Sequence, residues 1–301
     1  MPSSQQLVWA CIICYRVPLS ALLPLLEVLG DQADTVLLLD NSPEWEGGLA
    51  QVSGPHVKYI PLSHNMGTAG ALNHAWRLAI DAGATSMISF DQDSLPHRGM
   101  VCHMLNALET LKQTAPSIGA IGPSRVDPRS GKTMRVRKPV AYLRVHRRSD
   151  ASQAVQVDHL ITSGCLITTD VFQRVGPFRE DLFLDYVDIE WSLRARALGY
   201  PLYLDTGTAM DHTIGDSIIS IAGRTLPVHQ ALRSYLLLRN HLLLWHSSSA
   251  GICWLLGDLR QVILKSLALL VLRPKRLERL RWMAKGIWHG ISSAHSQPET
   301  E

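Results

Sequence analysis

The sequence predicts an α/β fold: a mostly parallel, doubly wound central sheet flanked by helices, followed by a helical C-terminal extension. Three observations predict it. Short apolar runs alternate with amphipathic ones through the first hundred residues, as strands joined by crossover helices do. Polar residues (Tyr15-Arg16, Asp40-Asn41, His64-Asn65, Asp91-Gln92-Asp93) fall just beyond four of those runs. In an open parallel sheet, ligands bind beyond the carboxyl ends of the strands, so four strand ends deliver polar groups to one rim. From Val228 onward the pattern is helical nearly to the end, with breaks near Ser247–Gly251 and at Pro274.

The elements follow in order. Val8–Cys14 reads as a first strand, and Leu19–Leu29 as a helix with leucines at i, i+3 and i+4 spacing. Thr35–Leu39 is a second strand that ends in the turn signal Asp40-Asn41-Ser42-Pro43, and Val57–Leu62 is a third. A helix is expected from about Thr68 to Ala82, then a fourth strand, Ser86–Phe90, running straight into Asp91. The stretch Val126–Val157 is polar, weakly periodic and basic (with its flank: Arg125, Arg129, Lys132, Arg135, Arg137, Lys138, Arg144, Arg147, Arg148). It reads as an irregular excursion or a β-ribbon, its cations forming either a solvated face or a phosphate-binding surface. Leu160–Thr169 has strand character, and Val187–Leu198 is a helix closed by Gly199. Pro201–Leu204 is a short apolar run before a glycine-containing turn.

With 301 residues, 46% apolar and 18% charged, the chain can bury a large core in one α/β domain plus a helical extension. A net charge of +3 gives no general argument for nucleic-acid binding, and no nucleic-acid partner is expected. Five cysteines, an odd number mostly inside apolar runs, and an N-terminus (Met1 to Gln6) without a signal-peptide layout point to a reducing, cytoplasmic setting. Cys11 and Cys14 form a CxxC, but residues three apart on a strand face opposite ways, which favours packing over a metal or redox role. The most apolar long run, Ile252–Leu272, is broken by Asp258, Arg260 and Lys265, so no spanning helix is expected.

Chemistry concentrates in a few places. Two carboxylates two apart along an extended segment, Asp91 and Asp93, share one side and can address one divalent ion. Asp188 stands at the start of a helix, where a carboxylate is either a capping acid favoured by the macrodipole or a general base. The acids around it (Glu180, Asp181, Asp185, Glu190) could raise one pKa. His212, after Asp211, is a structural histidine or a third metal ligand. Thr162-Ser163-Gly164 offers hydroxyl and N–H groups or is an ordinary strand-entry turn. Asn65-Met66-Gly67 to Asn73 opens a helix with small residues and reads as a phosphate- or sugar-facing N-terminus.

Taken in order, these motifs resemble the bacterial rhamnosyltransferase subgroup of glycosyltransferase family 2. The resemblance rests on Leu39-Asp40-Asn41-Ser42, Asn65-Met66-Gly67 with Ala71-Leu72-Asn73, Phe90-Asp91-Gln92-Asp93-Ser94, Thr162-Ser163-Gly164, Leu182 to Trp191, Asp211-His212 and Arg233 to Asn240. It spans roughly Val8 to Asn240. It implies a GT-A, Rossmann-like fold with a catalytic domain over 1–227 (a nucleotide-binding half to about 125, an acceptor half over 126–227) and an extension over 228–301. It implies that Asp40 contacts a pyrimidine base, that Asp91, Asp93 and His212 hold Mg²⁺ or Mn²⁺, and that Asp188 deprotonates an acceptor hydroxyl with inversion. Tyr15, Arg16, Asn41, Asn65, Gly67, Asn73 and Gln92 are then expected near the donor. Thr162, Ser163, Gly164, Asp185, Glu190 and Trp191 are expected near the sugar or acceptor. The implied donor is dTDP-β-L-rhamnose, and the implied acceptor a saccharide or polyprenyl-diphosphate-linked glycan in cell-surface polysaccharide synthesis. Cys14-Tyr15-Arg16 departs from the Thr-Tyr-Asn often found there, leaving Arg16 to approach phosphate or ribose.

In the extension, Leu277, Leu280, Met283, Ala284, Ile287 and Trp288 recur at helical spacing, with Arg276, Arg279, Arg281 and Lys285 on the other face. Such a helix suits an anionic membrane surface at the inner face of the cytoplasmic membrane. The other reading packs it on the catalytic domain or in a homodimer interface. Three competing functions are disfavoured. A haloacid-dehalogenase-type phosphatase places its Asp-x-Asp at the first strand, and a nicotinamide dehydrogenase needs a glycine fingerprint after it. A non-catalytic assembly protein has no need of the Asp91, Asp93, Asp188 and His212 set.

Overall fold

A computed structural model describes residues 6–292 apart from 43, 53, 116, 135, 138–141, 144–153, 213–216, 222–223, 229–230, 248 and 273–274. The chain runs β1 (Val8–Cys14), α1 (Leu19–Gly30), β2 (Thr35–Asp40), β3 (Val57–Pro61), α2 (Gly67–Asp81), β4 (Ser86–Asp91), β5 (Ser94–Pro96) and α3 (Met100–Lys112). It continues through β6 (Ala120–Asp127), β7 (Lys132–Thr133), β8 (Val136–Arg137), β9 (Tyr142–Leu143), β10 (Ala154–Val157), β11 (Cys165–Thr168), α4 (Thr169–Val175) and α5 (Val187–Ala197). It ends with β12 (Leu202–His212), β13 (Ser217–Ile221), β14 (Arg224–Val228), α6 (Ala231–Leu244), α7 (Ile252–Leu272) and α8 (Arg276–Ile291).

The main sheet has the order β10-β12-β6-β11-β4-β1-β2-β3. Parallel pairing joins β3, β2, β1 and β4, and also β6 and β12, while β11 runs antiparallel between β4 and β6 and β10 antiparallel to β12. The sheet is therefore mixed but mostly parallel. Its central strands are buried on both faces, which explains their unbroken apolar runs. The edge strand β3 alternates instead, carries exposed Lys58 and ends in Pro61, features that blunt an unpaired edge.

The two-residue period of the strands sorts side chains into two cores. Trp9, Cys11, Leu37 and Leu39 pack on one face with Leu72 and Trp76 of α2 and Trp191 of α5. Val8, Ala10, Ile12, Cys14, Val36 and Leu38 pack on the other with Leu22, Leu25 and Leu29 of α1 and Met100 and Met104 of α3. Cys11 and Cys14 thus lie on opposite faces, and burial pushes the Cys11 thiol up to about 12. All five cysteines are free.

The structure departs from the sequence reading in several places. Helix α3 lay unread although Met100, Val101, Met104 and Leu108 form a buried helical stripe, because His97-Arg98-Gly99 gives no capping side chain. Strand β11 begins at Cys165, not Leu160, because Gly164 turns the chain at φ +78. The glycine-containing turn after Leu204 is instead a bulge inside β12: Asp205 pairs with Pro123 and Ala209 with Ser124. Asp205 Oδ1 stabilises it by accepting the Gly207 N–H at 2.8 Å. Between β6 and β10 the described part includes a β6–β7 hairpin and the β8–β9 pair. Residues 1–5, Pro43, Arg135, Lys138, Arg144, Arg147, Arg148 and Pro274 lie outside the described residues.

Helix α8 packs on α6 through the stripe Arg279, Met283, Gly286 and Gly290. Arg279 is therefore buried, donating to Ser234 Oγ at 2.9 Å, and is not part of the exposed basic face expected for it. Leu277, Leu280, Ile287 and Trp288 remain exposed. Among the described residues, no helix is long and apolar enough to cross a membrane.

Candidate active site

Strand pairing assembles the expected cation ligands. Asp91 closes β4, the chain turns through Gln92-Asp93, and β5 then pairs antiparallel with the end of β12, setting Ser94 opposite His212. One ligand atom each from Asp91, Asp93 and His212 lies within 4.8 Å of the others. A hydrogen-bonded chain fixes the cluster. The Asp91 N–H donates to Ser163 Oγ (3.2 Å), Ser163 Oγ donates to Ser94 Oγ (2.6 Å), and Ser94 Oγ lies 2.8 Å from His212 Nδ1. Burial, then the charges of Asp93 and Asp188, push Asp91 up to about 7. Burial also raises Asp93. Burial, then the charge of Arg125, pulls His212 down to about 4, which keeps the imidazole neutral, the form that ligates a cation. Two crowded carboxylates beside a neutral imidazole fit a divalent cation that accepts oxygen and nitrogen ligands.

Asp188 stands on the same rim, in the first turn of α5, after Tyr186 in a left-handed conformation (φ +71). Its Oδ1 accepts the Ile189 N–H at 2.8 Å and its Oδ2 the Thr162 N–H at 3.2 Å. Asp188 thus satisfies one N–H of the first turn, while the N-cap residue itself is Tyr186, without a side-chain cap. Burial raises Asp188 above the usual carboxylate range, opposed by those two bonds and by Arg125. The 162–164 turn is pinned over the end of β4: Ser89 Oγ donates to the Thr162 carbonyl (2.6 Å) and the Gly164 N–H to the Ser89 carbonyl (2.7 Å). A Cβ on Gly164 would meet Met210 Sδ and Pro123 at 2.8 Å.

Several residues expected to face ligand are bound into the scaffold. Asn41 receives the Met66 N–H (2.7 Å) and donates to the Gly67 carbonyl (3.1 Å), while Asn65 Oδ1 accepts the Gly67 N–H (3.0 Å). Gly67, at φ +66, passes so near the Phe183 carbonyl that a Cβ would lie 2.4 Å from it. Asn73 is buried and exchanges hydrogen bonds with the Phe178 backbone, both 2.9 Å. Gln92 holds the Tyr15 N–H at 2.8 Å, which leaves the Tyr15 ring exposed with the Arg16 guanidinium over it. Arg16, at φ +47, reaches Glu44 at 3.6 Å. Asp40 is buried, accepting from Ser42 N–H (3.0 Å) and Tyr59 O–H (2.9 Å).

Two expectations need correction. Glu190 is buried and paired through both oxygens with Arg194 at 3.0 Å, and of the acids around Asp188 it is Asp185 whose charge raises it. Trp191 is core: its ring packs near Phe178, and its Nε1–H donates to the Gly176 carbonyl at 3.0 Å. Both face inward because α5 turns its Glu190–Trp191 side to the core and only its first turn to the rim.

Sequence reasoning also missed how far the C-terminal helices serve the rim. Arg233 of α6 pairs with Asp185 at 2.7 Å, and Asn240 donates to the Leu182 and Asp185 carbonyls at 2.7 and 2.6 Å. Asp258 of α7 accepts from Tyr186 O–H at 2.6 Å and meets His241 Nδ1 at 2.9 Å. The segment 182–188 that carries Asp188 is thus held from α6 and α7. The motif Arg233 to Asn240 signalled this, but its partners lie 48 to 58 residues away.

Comparison with known proteins agrees with this geometry. The model of the family "Glycosyl transferase family 2" matches residues 9–176. The chain is 28% identical over 286 residues, 93% of each chain, to "dTDP-rhamnosyl transferase RfbF" of Shigella flexneri. Among solved structures, S. aureus TarS gives a TM-score of 0.58 at 12% identity, covering 97% of this chain and 49% of that one. GalNAc-T7 with UDP, GalNAc and Mn²⁺ gives 0.55 at 12% identity, covering 98% of this chain and 59% of that one. These two similarities speak for the fold alone. With more than half of its length matched by the family model, the chain belongs to glycosyl transferase family 2 and is a glycosyltransferase.

Proposed function

We propose that this glycosyltransferase moves L-rhamnose from dTDP-β-L-rhamnose to a hydroxyl of a saccharide or polyprenyl-diphosphate-linked acceptor, with inversion, in cell-surface polysaccharide synthesis. The observation that carries the reading is one rim holding both a three-ligand cation site (Asp91, Asp93, His212) and a separate half-buried carboxylate, Asp188. The donor sugar follows the name of the Shigella flexneri relative. When bound, Mg²⁺ or Mn²⁺ supplies positive charge against the departing diphosphate. Asp188, raised by burial and oriented by the Thr162 and Ile189 N–H groups, takes the proton of the attacking hydroxyl. A base of raised pKa is better matched to proton transfer near neutral pH than an ordinary carboxylate. Asp40, Tyr15 and Arg16 line the approach to the ends of β1 and β2 and frame the nucleotide. The 162–164 turn and Asp185 border the sugar.

The extension gives the reading its location. Leu277 (63% exposed), Leu280, Ile287 and Trp288 (70% exposed) leave α8 with an uncovered apolar face. Exposed Arg276, Arg281 and Lys285 stand on the same helix. Apolar side chains beside cations suit an anionic bilayer surface, which supports a location at the inner face of the cytoplasmic membrane.

The test uses dTDP-, UDP- and GDP-sugars, with slow donor hydrolysis as readout. dTDP-rhamnose is expected to be consumed faster than the others by about tenfold or more, and preference for a UDP- or GDP-sugar would overturn the donor. Asp188→Asn is expected to slow transfer by about 10²- to 10⁴-fold while leaving nucleotide affinity intact. Undiminished turnover would remove Asp188 from the base role.

A further inference from the structure

Arg125 belongs to a basic stretch that reads from sequence as either a solvated face or a phosphate-binding surface, and its charge acts on Asp188 and His212 of the site. It lies on β6 opposite Met210 of β12, two residues before His212. Alternate residues along a strand share a face, and the ring of Pro123, two before Arg125, lies where a Gly164 side chain would point. Arg125 thus shares the side of the sheet that carries the 162–164 turn and His212.

Its environment is unusual for an arginine of this protein. The guanidinium is half-buried, and among the described residues no group lies within hydrogen-bond or ion-pair distance of it. By contrast, Arg194 is paired with Glu190 and Arg196 with Asp158. Burial pulls Arg125 down to about 10, and its charge lowers both Asp188 and His212. A desolvated, unpaired cation that also weakens the base is unfavourable by itself, and an arriving anion reverses that sign. The reaction brings one such anion in every turnover, the donor diphosphate. Asp91 and Asp93 cannot donate to phosphate oxygens, whereas a guanidinium offers a planar fork to two of them.

We propose that Arg125 binds the β-phosphate of the donor diphosphate and holds its charge as the sugar leaves. The inference rests on the nucleoside-diphosphate-sugar reading above and is independent of which base or sugar the donor carries. It makes Arg125 a catalytic residue beside the cation ligands, drawn from a different strand.

The test titrates wild type, Arg125→Gln and Arg125→Lys with dTDP and with dTMP by calorimetry in the presence of Mg²⁺, with thermal unfolding confirming that each variant folds. Arg125→Gln is expected to lose affinity for dTDP by about tenfold or more, with dTMP binding unchanged and Arg125→Lys intermediate. Equal dTDP affinity in wild type and Arg125→Gln overturns the proposal. A raised acceptor KM with unchanged dTDP affinity also overturns it, assigning the arginine to an anionic acceptor. If wild type binds UDP or GDP better than dTDP, the donor reading fails, and the same comparison with that diphosphate and its monophosphate decides Arg125. If wild type binds no nucleoside diphosphate, both fail together.

Discussion

Asp91 and Asp188 share one field, since the charge of each carboxylate within the cluster makes the next harder to ionise. Asp91, pushed up to about 7 by burial first and then by Asp93 and Asp188, is protonated below that pH and must lose its proton to ligate a cation. Divalent-ion affinity is therefore expected to rise as pH increases through about 7 and to level off above it, with roughly one proton released per ion bound. Calorimetry with Mn²⁺ in buffers of different ionisation enthalpy reads both quantities. An affinity flat across that range would show that Asp91 is not a ligand. Asp91 and Asp93 were legible as a pair because two-apart residues on an extended segment share a side. Asn73 and Trp191 were not, because nothing local shows whether a polar or aromatic side chain on a helix turns to the rim or to the core.

Helices α6, α7 and α8 act as one support for the segment that carries Asp188. Arg233, Asn240 and Asp258 fasten residues 182–186 across the boundary expected at residues 227/228. Close approach of α8 to α6 depends on Gly286, where a Cβ would lie 2.5 Å from the Tyr235 carbonyl. Gly286→Leu is expected to destabilise the protein by about 1–3 kcal/mol through overpacking, measured as a lowered midpoint of thermal unfolding. Leu280→Ser, at an exposed position of the same helix, should leave that midpoint nearly unchanged. An equal midpoint for Gly286→Leu and wild type would show that α8 does not rest on α6 in this way.

Among the described residues, the molecule presents the candidate rim and, away from it, an apolar face of α8, with further exposed apolar side chains on α7 (Leu256, Ile263, Leu264, Leu267). Cosedimentation with vesicles checks the membrane reading of that face. Binding is expected to vesicles containing phosphatidylserine or phosphatidylglycerol, to weaken with added salt because surface charge is screened over about 10 Å at 0.1 M, and to be lost in Trp288→Ser with Leu277→Ser. Retention by neutral vesicles alone, or a stable dimer in sedimentation velocity with no vesicle binding, would show that a different partner covers the face.

Strand and helix periodicity acts over a few residues, so β1 to β4, α1, α2 and α5 were visible in the chain, as were Asp91, Asp93, Asp188 and His212 as reactive groups. Folding settled their meaning across long separations: Ser94 meets His212 118 residues away, and Asn73 meets Phe178 105 residues away. A carboxylate or an arginine has the same local signature in a solvated turn as in a closing site. The partners found in the packed fold distinguish Asp188 from Glu190, which pairs with Arg194, and Arg125 from Arg129, which pairs with Asp127.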